Sequence, residues 1–293
     1  MQALRNLKTI RGLLLFLLLC WPTLANAEIW VFFRSDIPLH VDTVEFLKSK
    51  TDQKLVFCPV GKTSFSFLES HPPQFAVVLG DAALQLALQM VWKVKILVAL
   101  VDQPPTDPRV MFLNTHQPCV LQIKLLKALK PDLKTIWSPF VTERFAPCRK
   151  IESLAEETGV KIDIFRLSNP RELPGAMRVL SQPNTAVMIP PDPGIMNNAI
   201  IQSIFLASFR SQTPVVSFSE SLVKQGAVFA HVLTPLNLAT SLGEIINEAL
   251  NKGQSLPSAR SFERWELILN TTVLEKFKLQ VPDEIKKSAT RLY

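Results

Sequence analysis

Glycine is scarce in this chain, 9 residues in 293. Neither G-x-G-x-x-G nor G-x-x-x-x-G-K-[ST] occurs. Those glycines let a backbone approach a pyrophosphate closely, so their absence argues against a dinucleotide or nucleoside triphosphate site. Histidine is also sparse: His40, His71, His116 and His231 never pair at the i, i+3 or i+4 spacing of metal ligands on a helix. There is no G-x-S-x-G elbow, no cysteine beside a histidine base, and no carboxylate pair on one helix face, so nothing points to catalysis and no cofactor or metal is implied. Basic residues do not cluster, which leaves nucleic-acid binding without support. Lys124, Lys127, Lys130 and Lys134 line one helix face and read as a solvated stripe.

No long hydrophobic run exists either. The first apolar stretch, 13–19, is far short of the roughly 20 residues needed to cross a bilayer. Arg5, Lys8 and Arg11 precede it and Ala25-Asn26-Ala27 follows, the pattern of a secretory signal cleaved after Ala27. Leu19 before Cys20 and Trp21 after it do not suit a lipoprotein site. The leader holds three of the 32 basic residues and none of the 25 acidic ones, so the net charge of +7 falls to +4 from residue 28 onward. Of the remaining cysteines, Cys58, Cys119 and Cys148, an oxidising compartment permits one disulfide and leaves one thiol. Which two would pair stays open.

Beyond the leader, short Val/Ile/Leu/Phe runs alternate with amphipathic segments, the signature of βαβ units and parallel sheets buried on both faces. The first series has strands at 28–33, 54–58, 75–79, 95–101 and 110–114, with helices near 40–50 and 81–92. The Pro-rich stretch 103–108 interrupts it. A second series follows: helix 118–130, strand 135–138, helix 143–158, strand 161–166, helix 170–181, strand 185–190, helix 195–210, strand 215–218, a short helix, and strand 227–232. Thr234 and Pro235 sign the start of a helix reaching about Asn251, ended by Gly253. A strand at 265–269, a helical 271–277 and a charged tail complete the chain. The expected architecture is α/β, two open parallel-sheet (Rossmann-like) lobes joined by a hinge. The divisions are 28–115, possibly with part of 233–260; 116–232; and 233–293, which crosses the hinge.

In open parallel sheets ligands bind beyond the carboxyl ends of the strands. That rule selects Arg34, Ser35, Asp81 and Asp102 in the first lobe and Ser138, Phe140, Asp192, Phe218 and Ser219 in the second. Arg34 can clamp a carboxylate, Asp192 can fix the opposite charge, and Phe140 and Phe218 can supply apolar walls. Each polar turn is equally an ordinary helix cap.

Residues 117–282 resemble the ABC transporter substrate-binding family that includes periplasmic tryptophan-binding proteins. The resemblance is carried by Gln117-Pro118, Leu125-Leu126-Lys127-Ala128-Leu129-Lys130-Pro131, Pro190-Pro191-Asp192-Pro193 with Asn197, Thr213-Pro214-Val215-Val216-Ser217-Phe218-Ser219, Gly226-Ala227, Thr234-Pro235, Leu269-Asn270 and Leu279 to Pro282. It implies a type I periplasmic-binding fold and a periplasmic monomer without enzymatic activity. Such a protein closes two lobes on a small molecule, an amino acid among the candidates, and delivers it to an inner-membrane ABC permease. Asp192, Ser138 and Ser219 match cleft-facing turns of that family. The chain departs from it at Met111-Phe112-Leu113-Asn114-Thr115-His116, where a glycine-rich segment is usual, and at Ser138-Pro139-Phe140. A periplasmic sensor or accessory protein on the same fold is the alternative.

Overall fold

The computed structural model describes residues 28–70, 72–90, 93–116, 118–142, 151–251 and 257–293. The expected signal sequence, His71, Gln117, Cys148, Gly253 and the first half of the expected helix 143–158 lie outside the described residues.

Five strands, β1 (Glu28–Phe33), β2 (Lys54–Pro59), β3 (Phe75–Leu79), β4 (Lys95–Ala99) and β5 (Val110–Asn114), form a parallel sheet with a later strand, β11 (Ala259–Ser261), in the order β11-β5-β4-β3-β1-β2. In β1, Ile29, Val31 and Phe33 pack on one side with Leu47, Leu238, Leu242 and Ile246, while Trp30 and Phe32 pack on the other with Leu68, Ala83 and Met90. Both faces are covered, which is why the strands read as unbroken apolar runs.

The second sheet contains β6 (Thr135–Phe140), β7 (Lys161–Arg166), β8 (Thr185–Met188), β9 (Val215–Ser217), β10 (Phe229–Val232), β12 (Glu266–Leu269) and β13 (Arg291–Leu292), ordered β13-β12-β10-β9-β8-β6-β7. It is parallel, as expected, apart from one pair: β12 runs antiparallel to β10, pairing Glu266 with Val232 and Leu269 with Phe229. The charged tail is likewise ordered, as helix Asp283–Ser288 and β13 beside β12. The expected helix 170–181 is broken into a 3-10 turn (Pro170–Glu172), one α-turn (Leu173–Ala176) and a 3-10 stretch (Met177–Ser181). Pro174 offers no N–H and Gly175 little helix preference, so a continuous helix is disfavoured there.

The expected strand 135–138 runs on to Phe140. Pro139 is tolerated because β8 pairs with β6 only as far as Trp137, leaving β7 as the one neighbour at the proline. The basic stripe has partners: Lys124 pairs with Glu157 at 2.9 Å, Lys127 donates to the Thr158 carbonyl, and Lys130 pairs with Asp132 at 3.4 Å.

The chain passes between the sheets three times: after β5, after β10, and between β11 and β12. The helix Pro235–Asn251 leaves β10 of the second sheet yet packs on the first. Leu238, Leu242, Ile245 and Ile246 are buried there, each contributing about 1.5–3 kcal/mol. That outweighs the few polar contacts at its start. Thr234 caps this helix, accepting from the Asn237 N–H at 3.4 Å.

Because β5 and β11 are parallel and finish side by side, both leave the first sheet at its carboxyl end. Because β12 is antiparallel to β10, it enters the second sheet at the carboxyl end of β10. The crossing from β11 to β12 therefore joins carboxyl end to carboxyl end. The other two do so through the helices Cys119–Leu129 and Pro235–Asn251, each of which packs on the sheet it enters and returns the chain to that sheet's amino end, and the two carboxyl edges face one another.

Candidate functional site at the carboxyl edges of the two sheets

Within each sheet the strand order reverses once, between β1 and β3 in the first and between β6 and β8 in the second. Such reversal points open a crevice at the carboxyl edge, because successive helices leave to opposite faces.

At the first edge, Arg34, Ser35 and Asp36 follow β1 and are exposed. The Arg34 guanidinium is engaged within its own loop. Its Nε donates to Asp36 Oδ1 at 3.0 Å and its Nη2 to Oδ2. That hydrogen bond holds Arg34 above and Asp36 below their ordinary protonation ranges. The Arg34 N–H donates to Nδ1 of His40, a buried ring that desolvation, aided by the nearby Arg34 charge, brings down to about 4, so it is neutral at pH 7. His40 also abuts Gly80 at the end of β3. Gly80 has φ 84°, and a Cβ there would lie 2.8 Å from His40 Cε1. Asp81, exposed at the start of helix Asp81–Gln89, accepts the Asp102 N–H at 3.2 Å, which ties the exit of β3 to that of β4. The Asp102 carbonyl in turn lies 3.1 Å from Nε2 of His116, on the first crossing.

The second edge is built differently. Ser138 lies within β6, wholly buried, and donates to the Met188 carbonyl of β8 at 2.6 Å. Phe140 is buried, and its carbonyl accepts from Leu167. Asp192 is 0% exposed. One carboxylate oxygen accepts the N–H groups of Val141 (2.6 Å) and Thr142 (2.8 Å), and the other accepts that of Gly194 (2.9 Å). A single buried carboxylate thus pins the exit of β6 to the exit of β8. Gly194 belongs to the same joint, since a Cβ there would fall 2.5 Å from Val141 Cβ. Ser219 caps helix Glu220–Gln225 by accepting from Leu222, and Phe218 is half-buried against the helical layer.

The structure thus places Arg34, Ser35, Asp81 and Asp102 on one edge and Ser138, Phe140, Asp192, Phe218 and Ser219 on the other. Sequence reasoning missed His40, His116 and Gly194. A signal existed for Gly194, in the turn-forming run Pro190-Pro191-Asp192-Pro193-Gly194. None existed for the two histidines, whose roles depend on contacts between separate loops. A further group lies at the crossings, where Glu266 Oε1 accepts from Thr234 Oγ1 and Asn237 Nδ2, both at 3.2 Å, and Asn237 also donates to the Arg264 carbonyl. The second and third crossings are stitched together by these contacts.

Among the described residues, no three His, Cys, Asp or Glu side chains gather as a metal site, and no helix is long and apolar enough to cross a membrane. Cys58 is free and buried, and burial pushes its thiol up to about 12, far from a reactive thiolate. Cys119 is disulfide-bonded.

Comparison with the curated proteins finds no match. Among solved structures, a ligand-free, open substrate-binding protein with adhesive properties from Clostridium difficile is 15% identical, with a TM-score of 0.71, covering 90% of this chain and 98% of that one. An ABC domain in complex with L-Trp from Streptococcus pneumonia is 17% identical, with a TM-score of 0.57, covering 91% and 100%. A conserved domain protein from Vibrio cholerae is 16% identical, with a TM-score of 0.58, covering 92% and 100%. These likenesses establish the type I periplasmic-binding fold. The family model for ABC transporter substrate binding proteins matches residues 95–293, well over half the chain. With both sheets, the three crossings and the facing carboxyl edges in place, the chain belongs to the ABC transporter substrate-binding protein family.

Proposed function

We propose that this protein is exported to the periplasm through cleavage of residues 1–27. There, as a monomer, it captures a small polar solute between its two carboxyl edges and hands it to an inner-membrane ABC permease. The observation that carries this reading is the facing of the two edges across three crossings, which lets a hinge rotation sequester a ligand without disturbing either sheet. Residues 28–115, helix Pro235–Asn251 and β11 form one lobe; 116–232, β12 and β13 form the other. Arg34, Ser35, Asp81 and Asp102 offer polar groups from the first lobe, and Phe218 and Ser219 face them from the second. Ser138, Phe140 and Asp192 serve as the frame beneath. The protein performs no chemistry on its ligand. Amino acids are the first class to test, since a paired cation and carboxylates on one wall suit a zwitterion.

The Arg34–Asp36 ion pair favours a second reading, because it leaves the cleft's arginine satisfied by its own chain. On that reading the protein is a periplasmic sensor or accessory component that presents its surface to a membrane partner. Thermal melting of residues 28–293 against amino acids and small metabolites separates the two. A ligand at about 100 times its dissociation constant adds roughly 2.7 kcal/mol and raises the midpoint. A selective rise supports capture, whereas no rise across the library favours the accessory role.

A further inference from the structure

His116 sits on the first crossing between two groups that only accept hydrogen bonds. Its Nδ1 lies 2.6 Å from Asn114 Oδ1, and its Nε2 lies 3.1 Å from the Asp102 carbonyl oxygen. The Asn114 oxygen is identified by a second contact: the same atom accepts the His116 backbone N–H at 3.1 Å, which an amide nitrogen could not do. A neutral imidazole carries one N–H and can satisfy one of these acceptors, leaving two lone pairs opposed at the other. Only the imidazolium, with both nitrogens protonated, satisfies both.

We propose that His116 is held doubly protonated and in that form locks the first crossing to the loop after β4, so that this joint between the lobes loosens as pH rises. Among the described residues, the charged groups on the loop packed against the ring include Asp102 and, through its contact with the Asp102 N–H, Asp81. Both are carboxylates, and neither places a positive charge beside the ring. Asp107, further along the same loop, is paired with Arg109 at 2.7 Å. On Asn114 and the rest of β5 the neighbouring groups are neutral. When the ring gives one proton to solvent, the shorter Asn114 bond is kept and Nε2 is the nitrogen left bare. The Asp102 carbonyl then faces a lone pair, and the loop after β4 loses this tie to the crossing while the Leu100 N–H bond to Thr115 Oγ1 at 3.3 Å remains, so the joint loosens. The protonation state stands or falls without any ligand, so its test is independent of the capture reading above.

The experiment is a nitrogen-15 NMR titration of the histidine rings in the full exported chain, with amide hydrogen exchange over residues 100–116 at pH 6 and pH 9. Free histidine gives up its second proton near pH 6.5. Both His116 nitrogens are expected to report as protonated at pH 7, with Nε2 losing its proton first at higher pH. Exchange over 100–103 and 114–116 should quicken at least tenfold beyond the intrinsic pH effect. In Asn114→Ala the second proton should leave at a lower pH, and in His116→Phe the pH-dependent part of the exchange should vanish. A bare ring nitrogen at pH 7 in the unsubstituted protein, or the same protection at pH 6 and pH 9, overturns the proposal whatever the variants do.

Discussion

The two edges that face each other hold polar residues in opposite ways. On the first, Arg34 and Asp36 are 47% and 64% exposed at the side chain, and their partners are each other. On the second, Ser138 and Asp192 are 0% exposed, and their hydrogen bonds go to backbone of their own sheet and of the loops that leave it. A buried carboxylate with three backbone donors is fixed in place, whereas an exposed ion pair rearranges at little cost. The second edge is therefore the frame and the first holds the adaptable groups. The family match begins at residue 95, so β1 to β3, with Arg34, Ser35 and Asp81, lie outside it. The match covers the whole second sheet and, of the first, only β4, β5 and β11.

The contrast is broken most strongly at Asp192. Asp192→Ala removes the acceptor for three half-buried N–H groups, and at the lower end of about 1–3 kcal/mol for each unmet donor the expected loss is about 3 kcal/mol. Asp192→Asn keeps an acceptor oxygen and should lose clearly less. Urea unfolding followed through Trp137, which is buried in the second sheet, reads this directly. If Asp192→Ala unfolds like the unsubstituted protein, the second edge is not the frame.

Gly194→Ala tests the same joint through space instead of charge. Its Cβ would press on Val141, and forced packing of this kind costs about 1–3 kcal/mol. The double variant Gly194→Ala/Val141→Ala should recover much of that loss in the same unfolding experiment. Failure to recover would place the strain elsewhere.

Acidification reaches both lobes. His40 in the first and His231 in the second are each lowered to about 4 by burial, and His231 Nδ1 has no hydrogen-bond partner. In the unfolded chain both titrate near 6.5, so between pH 6.5 and 4 the unfolded state binds more protons. Their contribution is intact above pH 6.5 and is lost as pH falls toward 4. His231→Phe should flatten part of that slope without weakening the protein at pH 7, and His40→Asn should flatten the remainder. An unchanged slope in the double variant would assign acid sensitivity to other groups.

What the sequence disclosed tracks how local each signal is. The boundaries of β1, β3, β5 and β7 and the start of helix Pro235–Asn251 follow from apolar runs and from Thr234-Pro235, all contained in a few residues. β11 and β13 escaped notice because they are two or three residues long and largely exposed, and are strands only through the neighbours they meet. The candidate site divides in the same way. Asp192 and Ser219 stand out as turn and cap residues, but whether a turn residue faces a ligand or supports its own backbone depends on register. β6 running past Ser138 to Phe140 changed that register.

The smallest effect expected on stability separates the edges most cleanly in function. Arg34→Ala removes an exposed guanidinium whose partner, Asp36, is equally exposed, so the unfolding midpoint should not move. If the first edge selects the ligand, the same substitution should abolish the melting rise produced by any anionic or zwitterionic solute. Asp36→Ala should instead enlarge that rise, because it frees the guanidinium to bind the ligand's carboxylate. Opposite responses from two halves of one ion pair would assign Arg34 to recognition. Equal, null responses would make the pair a loop ornament and leave selection to the crossings and to Phe218 and Ser219 on the facing edge.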